Sequence, residues 1–80
     1  MVDFVDVVLT DAGRNKTAVT LAIREVTATE TILELVDLAR AKHLTDSAPC
    51  VVVPNVPIDV GERVKASLEK AGAAVELKPA

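Results

Sequence analysis

The sequence predicts an α+β fold, a two-layer β-α-α-β-α-β domain whose three-stranded antiparallel sheet is covered by three helices. Three observations carry this. Val5, Val7 and Leu9 alternate with other residues in a β-branched run, the pattern of a half-buried strand. Two segments, Val19-Ala22-Ile23-Val26 and Val60-Val64-Leu68-Ala71, repeat apolar residues every three or four positions, which gathers them on one helix face. Gly13 precedes the first of these segments, Pro54 and Pro57 precede the second, and Gly72 follows it, marking breaks between elements.

In chain order, the first strand is expected over Val2–Leu9, with Val5, Val7 and Leu9 toward the core and Phe4 and Val8 on the other face. A turn on Gly13 follows. Asn15 is a good N-cap, because its side-chain oxygen can accept a bond from a free N–H of the first helical turn. The first helix is expected over Lys16–Val26, with Lys16, Thr17, Thr20, Leu21 and Arg24 on the side opposite its apolar stripe. Thr27-Ala-Thr-Glu30 has the form of a capping box and predicts a second helix over Ala28–Leu44. The alternative, one helix from 16 to 44, would be long for so small a chain, and threonines 27, 29 and 31 are poor helix formers.

That second helix is apolar around much of its circumference, with Ile32, Leu33, Leu35, Val36, Leu38, Ala39, Ala41 and Leu44. Two readings stand side by side. One is a wide core face with a few exposed leucines. The other is a protein–protein contact, self-association included. Thr45–Pro49 is a connection. Cys50–Val53 is a short apolar strand ended by Pro54, and Pro54 and Pro57 frame a stiff loop. The third helix begins between Pro57 and Val60, with Asp59 and Glu62 as caps or Pro57 at its first position. Gly72 is the expected residue just past its end. Ala74–Leu77 is the last strand, with Val75 and Leu77 inward.

Composition bounds the function. Eighty residues make one domain, expected to bury only about 60% of the surface its unfolded chain exposes. Half the residues are hydrophobic, yet Phe4 is the only aromatic, so the core is aliphatic. The formal charge of −3 argues against nucleic acid or an anionic membrane as a nonspecific partner. A single cysteine, Cys50, excludes an intrachain disulfide. The start MVDFVDVV has early acids and no basic region ahead of an apolar run, unlike a signal peptide. No apolar run approaches the roughly 20 residues of a membrane span. The expectation is a small soluble cytoplasmic domain.

Chemistry finds little purchase. His43, Asp46 and Ser47 are close in sequence, but they occupy a helix end and its exit loop, without the converging scaffold a triad needs. A histidine interacting with the helix dipole is the better reading. Cys50 heads an apolar strand and reads as an inert buried thiol. Asp3, Asp6 and Asp11 lack calcium-loop spacing, and one His with one Cys makes no zinc site of ordinary composition. Gly13, Asn15 and Lys16 at a helix start could hold an anion but lack a glycine-rich phosphate loop, so they read as turn and cap. No catalytic residue, metal or cofactor is expected.

With the elements placed, three blocks resemble the C-terminal globular domain of the bacterial ribosomal stalk protein, the acidic large-subunit protein known as seven/twelve. VDVVLTDAGRNKTAVTLAIREVT (Val5–Thr27) resembles its first strand, glycine turn with Asn-Lys, and first helix. LARAKHLTDSAP (Leu38–Pro49) resembles its second helix and Ser-Ala-Pro exit, and VGERVKASLEKAGAAVELK (Val60–Lys78) its third helix, Ala-Gly ending and last strand. The resemblance implies a non-catalytic module that recruits translational GTPases, including elongation factors Tu and G and initiation factor two. It implies a partner surface on the first helix and the start of the second: Lys16, Thr17, Thr20, Leu21, Arg24 and Lys42. Cations there would meet an acidic groove.

The chain departs from that family in three ways. Thr17 and Thr20 stand where aliphatic residues are usual, and Leu21 where a lysine is. TATETILELVDL (Thr27–Leu38) replaces a glycine-containing link and is longer by about seven residues, or about two helical turns. The family's N-terminal dimerisation helices and alanine-rich hinge are not in these eighty residues, so an excised domain and a stand-alone relative are both expected forms. A stand-alone relative could act as an adaptor, as the architecturally similar Clp protease adaptor does. Its interface would then be the lengthened apolar second helix, at Ile32, Leu33 and Val36.

Overall fold

A computed structural model describes residues 3–29 and 36–80. The elements are β1 (Phe4–Asp11), α1 (Lys16–Thr29), α2 (Leu38–Asp46), β2 (Cys50–Pro57), α3 (Ile58–Lys70) and β3 (Ala74–Pro79). The strands form one sheet in the order β2-β1-β3, antiparallel at both junctions. The predicted fold class is therefore the observed one. β1 is the central strand, and its alternation orients the whole sheet. Val5, Val7 and Leu9 are buried under the helices. On the other face Phe4 is exposed and Val8 half-buried.

The largest departure from expectation lies between the first two helices. α1 does not stop at Val26 but runs on through Thr29. Thr27, expected to cap a new helix, is buried inside this one. Its hydroxyl lies 2.9 Å from the Ile23 carbonyl oxygen, to which it donates, and accepts the Val36 N–H at 3.3 Å. A threonine whose hydroxyl is satisfied on its own helix has no need to end it. The cap of α2 is instead Asp37, in extended conformation, with its carboxylate accepting the Arg40 N–H at 2.8 Å. α2 is thus the nine residues Leu38–Asp46, not a helix from Ala28, and the extended backbone at Asp37 also rules out one helix from 16 to 44. Val36, expected on an outer interface, is buried in the core ahead of α2. Ile32 and Leu33 lie outside the described residues.

β2 also exceeds its predicted length. Pro54 does not end it. Between the pairs Val7↔Val53 and Val5↔Val56, Asp6 alone stands opposite Pro54 and Asn55, which is a β-bulge. The bulge suits these residues. Proline has no N–H to leave unpaired on an edge strand. Asn55 takes φ of 51°, a conformation asparagine tolerates. The Asp6 carboxylate accepts the Asn55 N–H at 2.8 Å. A second register shift, between Val7 and Val8, lets the consecutive Val52 and Val53 both turn inward.

α3 starts directly after Pro57, which occupies the cap position without a side-chain bond. Asp59 is 3.6 Å from Arg63, an exposed ion pair that contributes little. Val60, Val64 and Leu68 face the core as expected. The helix closes with the Ala73 N–H on the Leu68 carbonyl (3.1 Å) and the Gly72 N–H on Glu69 (2.9 Å), a Schellman ending around Gly72 at φ 103°.

Two glycines set how closely the layers approach. A Cβ on Gly61 would stand 2.6 Å from a methyl of Val5, so α3 lies against β1 only because that atom is missing. Gly13 has φ of 74°, and a Cβ there would collide with the Gly72 carbonyl oxygen. The turn after β1 and the end of α3 therefore touch through backbone.

Cys50 opens β2 half-buried, and its thiol donates to the Leu44 carbonyl at 3.1 Å. Burial pushes its pKa up, because the thiolate loses hydration. The neutral thiol is the form the fold favours. Its contribution to stability is complete below the unfolded pKa and is lost as pH rises through the higher folded one.

Two predictions follow from this architecture. Gly13→Ala should lower stability by roughly 1 to 3 kcal/mol, read by thermal or urea unfolding, because the left-handed backbone and the Gly72 carbonyl both oppose it. Wild-type stability in that variant would contradict the contact. Iodoacetamide at pH 8 should label Cys50 more slowly in the folded chain than in denaturant. Equal rates would show that the thiol is not shielded.

Candidate functional site

The surface to examine is formed by α1 and α2. α1 is set at its start by Asn15, whose side chain accepts the Ala18 N–H at 3.1 Å. This places Lys16 at the first helical position. Lys16, Thr17, Leu21 and Arg24 are exposed on α1, and Lys42 is exposed on α2.

Thr20 departs from expectation. It is only 7% exposed and sits in the contact between the helices. Its hydroxyl lies 2.8 Å from the Lys16 carbonyl and 3.0 Å from the hydroxyl of Thr45 on α2. The Thr45 hydroxyl in turn donates to the Ala41 carbonyl at 2.8 Å. Position 20 lies between Val19 and Ile23 on the flank of the buried stripe, and α2 covers that flank. A partner cannot touch Thr20 without displacing α2.

This crossing organises the charges. Lys16, Thr20 and Arg24 form one row at intervals of four, and α2 crosses the row at its middle member. Lys42 stands three residues before Thr45, one turn along the crossing helix. The three cations are therefore distributed around a single buried hydroxyl pair. The sequence reading left Arg14 and Arg40 out of this surface and took His43 only as a helix-end residue; all three are exposed in this region. α2 buries only Ala41 and Thr45, which leaves its polar positions outward. Over residues 14–46 the sequence holds five Arg and Lys and five Asp and Glu, and all five cations are exposed.

On its other flank α1 meets α3 across an open groove. Ala18, Ala22, Glu25, Val26 and Thr29 line it from α1, and Ser67, Lys70 and the C-cap residue Ala71 from the end of α3. Leu21 stands at its rim, 47% exposed, between this groove and the cationic row.

The other candidates are not assembled into sites. Ser47 donates its hydroxyl proton to the His43 carbonyl at 2.7 Å, closing the end of α2, and His43, Asp46 and Ser47 are all exposed. The Gly13 N–H is taken by the Asp11 carboxylate at 2.7 Å, so this turn is occupied by its own side chain. Among the described residues, no group of three His, Cys, Asp or Glu could hold a metal ion. No described helix is long and apolar enough to cross a membrane.

Residues 5–78 match the family model described as ribosomal protein L7/L12 C-terminal domain. Relatives named large ribosomal subunit protein bL12 align over 73 residues. That of Clostridium botulinum is 47% identical over 91% of this chain and 54% of its own length. That of Corynebacterium aurimucosum is 45% identical, over 91% and 52%. That of Aquifex aeolicus is 41% identical, over the same two shares. The chain thus spans about half the length of these relatives. Across that half, the strand order, the Asn15-capped first helix and the glycine-closed third helix described above lie inside the matched segment, and the chain belongs to the ribosomal protein L7/L12 C-terminal domain family.

Proposed function

We propose that this domain serves the ribosomal stalk as a non-catalytic docking module in the cytoplasm, recruiting translational GTPases such as elongation factors Tu and G through its α1/α2 face. One observation carries the reading. Lys16, Arg24 and Lys42 surround one helix crossing and give an acidic chain a group of exposed cations there. Such a face raises the encounter rate with an acidic partner surface through long-range attraction. Apolar contact must then hold the complex, and Leu21 is the exposed apolar side chain available for it on α1. Thr17, one turn before Leu21, adds a hydroxyl on the same exposed side. This chemistry predicts fast association, sensitivity to salt and modest affinity.

The test is direct binding of the purified domain to elongation factors G and Tu, at low and moderate salt. Binding should weaken as salt rises, because surface charges are screened over about 8 to 10 Å at these ionic strengths. Lys16→Ala/Arg24→Ala should weaken it by about tenfold or more at low salt, corresponding to roughly 1.4 kcal/mol. Binding to neither factor at high protein concentration would overturn the proposal, and salt-independent binding would overturn the electrostatic part of it.

A further inference from the structure

α2 is held in an unusual way for a helix of a small domain. Only Ala41 and Thr45 are buried, and Leu44 is half-buried. Among the elements, α1 is its principal neighbour. Two small side chains bury little apolar surface, and such burial is non-directional. What surrounds them is directional. The Val36 N–H reaches the Thr27 hydroxyl just ahead of α2 at 3.3 Å. Thr20 meets Thr45 midway at 3.0 Å. The Cys50 thiol reaches the Leu44 carbonyl near its end at 3.1 Å. The middle contact is the one that joins the two helices side chain to side chain. Thr45 gives its single hydroxyl proton to Ala41, so its oxygen is free to accept the proton of Thr20.

We infer that Thr20 and Thr45 are positioning residues of the partner-binding face: their hydroxyl pair registers α2 on α1 and so fixes where Lys42 stands relative to Lys16 and Arg24. The inference rests on the docking function proposed above. It gives Thr20 a part in that face without contact to the partner. A hydroxyl pair suits this task better than an apolar pair of the same shape. Two valines would fill the same space and leave no buried donor unsatisfied, but they would tolerate sliding and rotation that a 3.0 Å bond does not. Stability and register therefore separate, and the experiment uses that separation.

Thr20→Val/Thr45→Val should stay folded, with a melting temperature near wild type. Its affinity for elongation factor G should fall about fivefold, the effect expected from losing one hydrogen bond's worth of ordering. In that background Lys42→Ala should cost less than in wild type, because Lys42 is already out of line. Thr20→Ser/Thr45→Ser, which keeps both hydroxyls, should retain wild-type affinity. A merely structural role would leave the cost of Lys42→Ala unchanged. Amide exchange supplies a readout without a partner. Residues 41–45 should exchange faster in the valine variant while α3 is unchanged. If the double variant fails to fold, Thr20→Val alone serves, since Thr45 keeps its bond to Ala41. Unchanged exchange in α2 overturns the registration, as does an undiminished cost of Lys42→Ala. Should the wild-type domain bind neither factor, the docking reading fails and the exchange experiment alone decides the registration.

Discussion

The structure depends on close approach between α3 and the central strand. The core contains no aromatic ring: Leu9, Ile23, Leu68, Val7, Val19 and Val64 are its largest fully buried apolar side chains, and the only aromatic residue, Phe4, is 46% exposed. Short aliphatic side chains fill a thin layer, so the helices must lie near the sheet if no voids are to remain. Gly61 permits this on β1, and the backbone contact between Gly13 and Gly72 permits it at the end of the sheet. Once α3 and β1 are locked, α1 fills the space beside α3 with Val19, Ile23 and Val26. α2, with little apolar surface left to offer, is placed against α1.

This ordering explains the pattern of polar contacts. They are sparse beneath α3, where apolar packing suffices, and concentrated along α2, where it does not. Thr20, Thr27 and Thr45 are the buried polar residues described, and all three lie on α1 or α2. Thr27 and Thr45 each donate to their own helix four residues back, at Ile23 and Ala41, while the one proton of Thr20 goes to Thr45, with the Lys16 carbonyl 2.8 Å away. For Thr27 and Thr45 the cost of desolvating the hydroxyl is met locally, which leaves the oxygen free to accept a second bond from the neighbouring segment.

The same physics marks what could be read from the sequence. The element order and the inward faces of β1 and α3 were legible because each rests on a repeating apolar period that nothing interrupts. The Gly72 ending was legible because only one residue type serves well there. The α1–α2 junction was not. Thr27-Ala-Thr-Glu30 carries the letters of a capping box, yet a threonine can also satisfy itself within a helix, and the choice depends on Val36 arriving from nine residues away. Asp37 was a cap of equal quality, hidden by the apolar residues around it. Pro54 misled for a similar reason. As a lone proline it ends a strand, but with Asn55 beside it and the Asp6 carboxylate opposite, it makes a bulge. In each case the local rule was sound and a partner distant in sequence decided which rule applied.

On the candidate face the ordinary guide of polarity is inverted at two adjacent positions. Thr20 is buried and Leu21 is exposed. Helix geometry makes this unavoidable: consecutive residues point about 100° apart, so once α2 covers position 20, position 21 turns to solvent beside the α1/α3 groove. A single exposed leucine is no anomaly by itself. Its setting gives it meaning, because the cations lie on one side of it and a groove with an apolar wall of Ala18, Ala22 and Val26 on the other. Charges that remain solvated act at a distance and set the rate of encounter, whereas lifetime depends on surface removed from water. On the docking function proposed above, the face divides the two tasks between its parts: Lys16, Arg24 and Lys42 would govern approach and Leu21 residence, while the buried threonines would hold the helices that carry them in one arrangement.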